Sequence, residues 1–320
     1  MSNDERTGVP DQAELARRFE EHRAYLRRVA YSTLGSLTDA DDVVQEAWLR
    51  LQRYYETSPD GVEIENLRAW LTTVTGRLAL DYLGSARVRR EQYVGEWLPE
   101  PEVTSWDDPA DRVSQDERVT TALLVVLESL SPAERTAFVL QDVFGMTGPE
   151  VAEVVGRTPA AVRQLASRAR KHVESGTPRF PADPAEHEKV VSAFAVAWRS
   201  GDLSALLGLL DANVTFTSDG GGKVLAFRHP LHGAGTVADT LLGFLRYMTD
   251  TGAAWGRSVL VNGRPGLVVF DGSFLGVFSF TIDNGRITKL DVVRNPDKLH
   301  NLPLDGEPDW LLDNGSPEAN

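Results

Sequence analysis

Between Glu153 and Glu174 the chain carries five Arg or Lys and no acid. Arg163, Gln164, Ser167, Arg168, Arg170 and Lys171 alternate there with Val162, Leu165, Ala166, Ala169 and Val173, whose spacing of three and four is one apolar stripe of a helix. Such a face suits duplex DNA. Arg pairs bidentately with guanine and Gln with adenine, so Arg163 and Gln164, near the helix start, are expected to read base edges. Arg168, Arg170 and Lys171 are expected to meet phosphates, with Ser167 beside them. A second basic group, Arg87, Arg89 and Arg90, follows Trp70, Arg77 and Tyr82. Basic residues interleaved with aromatics fit unstacked single strands, although Trp70 and Tyr82 would serve equally as core residues.

The elements that must position these residues announce themselves by their start signals. Ser131-Pro132-Ala133-Glu134 and Thr147-Gly148-Pro149-Glu150 are capping boxes with proline in the first turn, and Thr158-Pro159 opens the last helix after Gly156-Arg157. The result is helix, short turn, helix within a block of 117–174. An ordinary bundle with a solvated basic face is the alternative, and the capped turn weighs against it. Residues 12–92 read as an earlier helical block. Leu15, Phe19, His22, Leu26, Val29 and Ala30 share one face, a second helix is expected to start at Thr38-Asp39-Ala40-Asp41, and a third to run from about Leu67 to Arg90. The second helix leaves Asp42, Gln45, Glu46 and Arg50 on its polar side.

Between the blocks, 93–116 reads as an acidic, proline-broken linker, yet it holds Trp97, Leu98 and Trp106. A second linker, 175–185, precedes a region of different character, 186–300, with a tail at 301–320. Helical stretches are expected near 186–200, 203–210 and 234–249. Phe278, Phe280 and Ile282 then alternate with polar residues, and Asn284-Gly285 signals a hairpin, giving an α+β domain with a mostly antiparallel sheet.

Composition narrows the chemistry. With 320 residues and no Cys, disulfides, thiol nucleophiles and Cys-held zinc are excluded. Against 33 Lys and Arg stand 47 Asp and Glu, a net charge of −14, so the basic groups at two helix ends depart sharply from the whole. A chain of that charge should bind DNA poorly by itself. No apolar run approaches a membrane span and Met1–Gln12 is polar, so a cytoplasmic protein without a membrane partner is expected. Asp219, His229 and His232 could supply a general base, which keeps an enzymatic third domain open as an alternative.

At this point a resemblance becomes specific. Asp39-Ala40-Asp41-Asp42-Val43-Val44-Gln45-Glu46-Ala47-Trp48-Leu49-Arg50-Leu51, then Asn66-Leu67-Arg68-Ala69-Trp70-Leu71 and Leu78-Ala79-Leu80-Asp81, resemble region 2 of bacterial extracytoplasmic-function (ECF) sigma factors. Leu130-Ser131-Pro132-Ala133-Glu134-Arg135 through Arg168-Ala169-Arg170-Lys171 is similar to their region 4. The resemblance implies a subunit that binds core RNA polymerase through its clamp helices and flap, reads promoter −35 and −10 elements and helps melt the DNA. It would place Asp42, Gln45, Glu46 and Arg50 on the clamp helices. Trp70, Arg77, Arg87, Arg89 and Arg90, with the loop Thr57 to Asn66, would face the −10 strand, and Arg163 to Lys171 the −35 element. Many family members have Asn where this chain has Arg77, which leaves the −10 base preference open.

Residues 186–300 look like a SnoaL-type cone, helices over a curved sheet enclosing a pocket, as in a subgroup of these factors whose C-terminal extension regulates in cis. Three motifs carry that likeness: Trp97-Leu98-Pro99-Glu100-Pro101, Asp219-Gly220-Gly221-Gly222-Lys223 and Asn295-Pro296-Asp297-Lys298-Leu299. The glycines are expected to admit a close backbone, and Trp97 and Leu98 to pack against the face with Asp219, Lys223, Asn295, Asp297 and Lys298. The expected fold is thus two all-α sigma domains, a region 2 bundle and a region 4 helix-turn-helix, plus a C-terminal α+β SnoaL-like cone. No catalytic residue, metal or cofactor is expected, and whether the pocket takes a small apolar or aromatic effector is left open by the sequence. A one-component helix-turn-helix regulator with a ligand-sensing domain is the competing reading.

Overall fold

The structure, a computed structural model, describes residues 12–57, 64–91, 93–105, 119–176, 182–251, 254–300, 302–303 and 309–311. In chain order the helices are α1 (Gln12–Leu34), α2 (Leu37–Thr57), α3 (Leu67–Glu91), α4 (Thr121–Leu127) and α5 (Pro132–Phe138), continued by a π-turn at Val139–Val143. Then follow α6 (Gly148–Val155), α7 (Pro159–Gly176), α8 (Pro184–Arg199), α9 (Leu203–Leu209) and α10 (Ala234–Thr251). The strands are β1 (Val103–Ser105), β2 (Leu210–Asp219), β3 (Leu231–His232), β4 (Trp255–Val261), β5 (Arg264–Phe270), β6 (Leu275–Asp283), β7 (Arg286–Val293) and β8 (Trp310–Leu311). The chain divides into two compact units, one of 1–88 with 128–172 and the other of 89–127 with 173–320.

The first unit is all helix. Gly35, at φ +68°, ends α1, and Ser36 Oγ accepts the Asp39 N–H at 3.1 Å, so α2 starts at Leu37 and not at Thr38 as the sequence suggested. Asn66 Oδ1 caps α3 by accepting from Ala69 N at 3.0 Å. Leu15, Phe19, Leu26, Val44, Leu51, Leu67 and Leu71 close one core. A second core joins α1 to the later helices: Val29 packs with Leu140, Val151, Val154, Val155 and Val162, and the Tyr25 ring meets Phe144 edge-on at 5.7 Å. At Gly76, α3 passes close to the later helices. A Cβ there would lie 2.9 Å from a Val154 methyl and 3.1 Å from one of Leu140, so only glycine admits this approach.

The second unit is α+β. Its sheet runs β1-β4-β5-β6-β7-β2-β3, with β8 also on β4; β2 and β7 are parallel and the other pairs antiparallel. Asn284 (φ +51°) and Gly285 (φ +71°) form the tight turn between β6 and β7, and Asn262-Gly263 does the same between β4 and β5. One sheet face, carrying Phe216, Phe278, Phe280 and Leu290, packs on Phe194 and Trp198 of α8. The opposite face carries Val259, Val261, Val268, Val277 and Val293, and here the expected linker is part of the fold. Leu98 and Val103 are buried against it, and β1 pairs with β4, Val103 opposite Val261. Helix α4, placed by sequence in the second helical block, also belongs to this unit and reaches β6 through Thr121 Oγ1, 3.4 Å from Ser279 Oγ. Trp106 and the rest of the linker to 116, with the two residues after it, lie outside the described residues.

Candidate functional site

Helix α7 is set by the turn before it. Thr147 and Glu150 cap α6 reciprocally, with the Thr147 N–H donating to Glu150 at 2.7 Å, and the hydroxyl and backbone donors of Thr147 hold the Glu150 carboxyl below its usual range. Gly156, at φ +66°, ends α6, and Thr158 Oγ1 accepts from Ala161 N at 3.2 Å to start α7. Val162, Ala166 and Ala169 turn inward, leaving Arg163, Gln164, Ser167, Arg168 and Lys171 exposed together on one side. Arg170 points elsewhere. Its Nε donates to Asp142 Oδ1 at 2.6 Å, which neutralises a charge the sequence assigned to phosphate.

On α2, Asp42 and Gln45 are exposed, while Glu46 and Arg50 are half-buried and paired at 3.3 Å. Arg53 also reaches Glu46, at 3.4 Å. Between them stands Leu49, 39% exposed, an apolar residue in a polar face that sequence reasoning passed over. On α3, Trp70 is half-buried with its ring 5.5 Å from that of Tyr54, so it edges the core and keeps part of a face in solvent. Arg77 is exposed, but its guanidinium donates to the Glu153 carbonyl at 3.2 Å and carboxylate at 3.0 Å on α6. In this conformation it is held by protein. The side chains of Arg87, Arg89 and Arg90, and residues 58–63 of the loop before α3, lie outside the described residues.

The three motifs of the linker and third domain meet around one carboxylate. Asp219, fully buried at the end of β2, accepts four hydrogen bonds: on Oδ1 from Tyr93 OH at 2.6 Å and Gly221 N at 3.0 Å, and on Oδ2 from Leu98 N at 2.9 Å and Lys298 Nζ at 2.7 Å. Every lone pair of the carboxylate is occupied, which is what a buried charge requires. Lys298 also donates to the Leu98 carbonyl and lies 4.1 Å from the Trp97 ring centre. Asn295 Nδ2 donates to Tyr93 OH at 2.8 Å, and Lys223 pairs with Asp297 at 2.6 Å. The glycines supply clearance: a Cβ on Gly221 would overlap the Asn295 amide at 2.5 Å, and one on Gly222 would press Val94 at 3.0 Å. Tyr93 was not singled out from sequence, since nothing local marks a tyrosine whose partner lies 126 residues on. Its hydroxyl is buried beside Asp219, and both effects raise its pKa, so it stays a donor.

A cavity of about 330 Å³ lies on the other sheet face, lined by aromatic rings with Ser218, Asp271 and Arg294 among them. The two histidines weighed for an enzymatic third domain, His229 and His232, are exposed and do not line it, and Asp219 is committed to the linker. Among the described residues no cluster of His, Asp and Glu could hold a metal, and no helix is long and apolar enough to cross a membrane.

Comparison with known proteins accords with this layout. The sigma-70 region 2 family model matches residues 18–89 and the sigma-70, region 4 model residues 120–173. The chain is 41% identical over 297 residues to the ECF RNA polymerase sigma factor SigJ of Mycobacterium tuberculosis (strain ATCC 25618 / H37Rv), covering 89% of this chain and 93% of that one. It is 37% identical over 284 residues to the probable ECF RNA polymerase sigma factor SigI of M. tuberculosis (strain CDC 1551 / Oshkosh), with 88% and 93% covered. The crystal structure of M. tuberculosis SigJ matches with a TM-score of 0.73 at 40% identity, over 90% of this chain and 99% of that one.

Proposed function

The chain belongs to the ECF family of RNA polymerase sigma factors, and from that premise we propose how promoter reading, polymerase docking and control divide among its residues. Arg163 and Gln164 read bases of the −35 element, while Ser167, Arg168 and Lys171 hold its phosphates. Arg170 joins them once it leaves Asp142. Asp42, Gln45, Glu46 and Arg50 dock on the clamp helices with Leu49 as an apolar contact at the centre of that face, and α7 is carried near the flap. Trp70, Arg77, Arg87, Arg89 and Arg90 attend the melted −10 strand, Trp70 stacking and the arginines tracking the backbone. The work is done in the cytoplasm with the polymerase and has no catalytic step of its own.

The observation that carries this reading is the exposed face of Arg163, Gln164, Ser167, Arg168 and Lys171 on a capped helix-turn-helix. Its geometry also calls for a rearrangement. Elements named for −35 and −10 lie about 25 base pairs apart, or about 85 Å of duplex, whereas Gly76 and Arg77 of α3 touch Val154 and Glu153 of α6. The two DNA-reading blocks must therefore part on a promoter. A linker of 93–116 reaches about 80 Å when extended, and its docking on the second unit withdraws much of that reach. Control in cis follows: the Asp219 cluster restrains the linker, and its release accompanies open engagement of the promoter.

Run-off transcription with purified core polymerase tests the proposal, comparing the full chain with one ending near Pro178. Specific initiation by at least one form, at a rate that differs between them, is expected. Failure of both to initiate on every candidate promoter, with no measurable binding to core, would sink it.

A further inference from the structure

The cavity and the linker cluster are two sides of the same two chain segments. Along β2 and the loop after it, Ser218, Leu225, Ala226 and Phe227 line the cavity, while Asp219, Gly221 and Lys223 lie with the cluster that holds the linker. At the end of β7, Arg294 lines the cavity while Asn295 and Lys298 reach Tyr93 and Leu98. The segments are tied together, since the N–H groups of Arg294 and Asn295 donate to the Asp219 carbonyl at 2.7 and 2.9 Å, and Arg294 Nη1 donates to the Leu225 carbonyl at 3.0 Å. The cavity wall and the residues that grip the linker are thus joined by short hydrogen bonds through the same two segments.

The wall also defines the occupant. Phe216, Phe227 and Phe244 meet edge-on or tilted at 6.0 to 6.3 Å between ring centres, and Trp198 and Phe278 meet tilted at 5.2 Å, so the wall offers both ring edges and ring faces to an aromatic guest. Arg294 is spent on Asp271, its nearest carboxylate, which leaves this part of the wall without net charge and disfavours an ionised ligand. Ser218 Oγ accepts from Phe227 N at 2.8 Å, leaving its hydroxyl proton for an oxygen of the ligand. The room exists partly because β6 has Gly276 opposite Val269 on the cavity side. A Cβ there would make ordinary contacts of 3.4 to 3.6 Å with Phe278, Arg294 and Val292, so a longer side chain fills the cavity without straining the strand.

We propose that this cavity binds a neutral, planar aromatic molecule bearing one hydroxyl or carbonyl oxygen, and that its occupancy tightens the grip of the second unit on the linker. This rests on the reading of that unit as a regulator in cis. By linkage, loosening the grip must weaken the ligand by the same factor by which the ligand strengthens the grip.

Calorimetric titration of the full-length chain with 9-phenanthrol, and with 9-phenanthrenecarboxylate as the charged counterpart, tests both parts. Saturable binding of the phenol at one site is expected, with the carboxylate roughly tenfold weaker or worse. Gly276→Leu should abolish binding while the chain keeps its circular dichroism and thermal midpoint, and Gly276→Ala should give an intermediate loss if the leucine variant fails to fold. Asp219→Asn, whose side chain lies with the linker cluster and outside the cavity lining, should weaken the phenol by roughly threefold or more. No binding of the phenol, or binding indifferent to both Gly276 variants, overturns the site. Binding unchanged in Asp219→Asn overturns the coupling. Promoter-specific run-off transcription by the same preparation separates these failures from failure of the sigma reading.

Discussion

At the scale of single residues, Asp219 concentrates the control proposed here. Removing its carboxylate in Asp219→Ala leaves the Lys298 ammonium, 11% exposed, without its ionic partner and takes the acceptor from Tyr93 and Leu98. A loss of about 3–5 kcal/mol is expected in urea unfolding of the second unit, because a buried ion pair loses one of its two charges. Limited proteolysis should then cut within 93–101 faster than in the parent chain, and an unchanged rate would contradict the restraint. On α7 two substitutions should differ in kind. Arg163→Ala should relax preference at one −35 position at a cost of about 1–3 kcal/mol, whereas Lys171→Ala should weaken polymerase-bound promoter binding uniformly and flatten its salt dependence. Equal behaviour of the pair in a base-substitution series would remove Arg163 as a reader. His187 gives the second unit a pH dependence. Burial, with Arg264 nearby, lowers its pKa from 6.5 to about 4. The unfolded chain therefore binds the proton more readily, and the unit loses stability as pH falls from about 6.5 toward 4, by up to about 3 kcal/mol. His187→Gln should flatten that part of the unfolding curve, and a curve of unchanged slope would show another group to be responsible.

At the scale of elements, the approach of α3 to α6 sets how the DNA-reading blocks are stored. Gly76→Leu puts side-chain atoms where Val154 and Leu140 already stand, and the overpacking should cost the first unit about 1–3 kcal/mol and speed amide exchange along α6. Unaltered exchange would mean that the contact carries no weight. Elements specified by neighbours were readable in advance. The capping boxes Ser131/Glu134 and Thr147/Glu150 work within three residues, and the Asn284-Gly285 turn within two, so their chemistry is written where it acts. The turn at Asn262-Gly263 carries the same local signature and was equally legible; what the sequence hides there is that Asn262 is buried, with its side chain engaged by Thr121 at 3.1 Å. The start of α2 shifted because Ser36 and Thr38 are both competent caps and Gly35, ending α1, selects the first. What local pattern could not reveal was pairing over distance. β1 exists only because β4 offers it an edge, Arg77 meets Glu153 76 residues away, and Arg170 meets Asp142. Trp97 and Leu98 were the visible trace of the buried linker, since aromatic and apolar residues in an acidic tether ask for a surface to cover them.

For the whole molecule, the net charge of −14 and the compactness of the first unit point the same way. Acids outside the two basic helix ends weaken contact with phosphates, so the free chain should hold promoter DNA weakly and lose it in modest salt, gaining affinity only with core polymerase. Packed as they are, the DNA-reading blocks cannot span about 85 Å of duplex. The absence of cysteine makes the required opening measurable, because a pair introduced as Asp81→Cys on α3, one turn beyond Arg77, and Arg157→Cys, four residues beyond the Glu153 that Arg77 meets, can be labelled without background. Energy transfer between the two labels should be high in the free chain and collapse when core polymerase and a promoter that supports run-off transcription are added. A complex that initiates specifically while transfer stays as high as in the free chain would contradict the account.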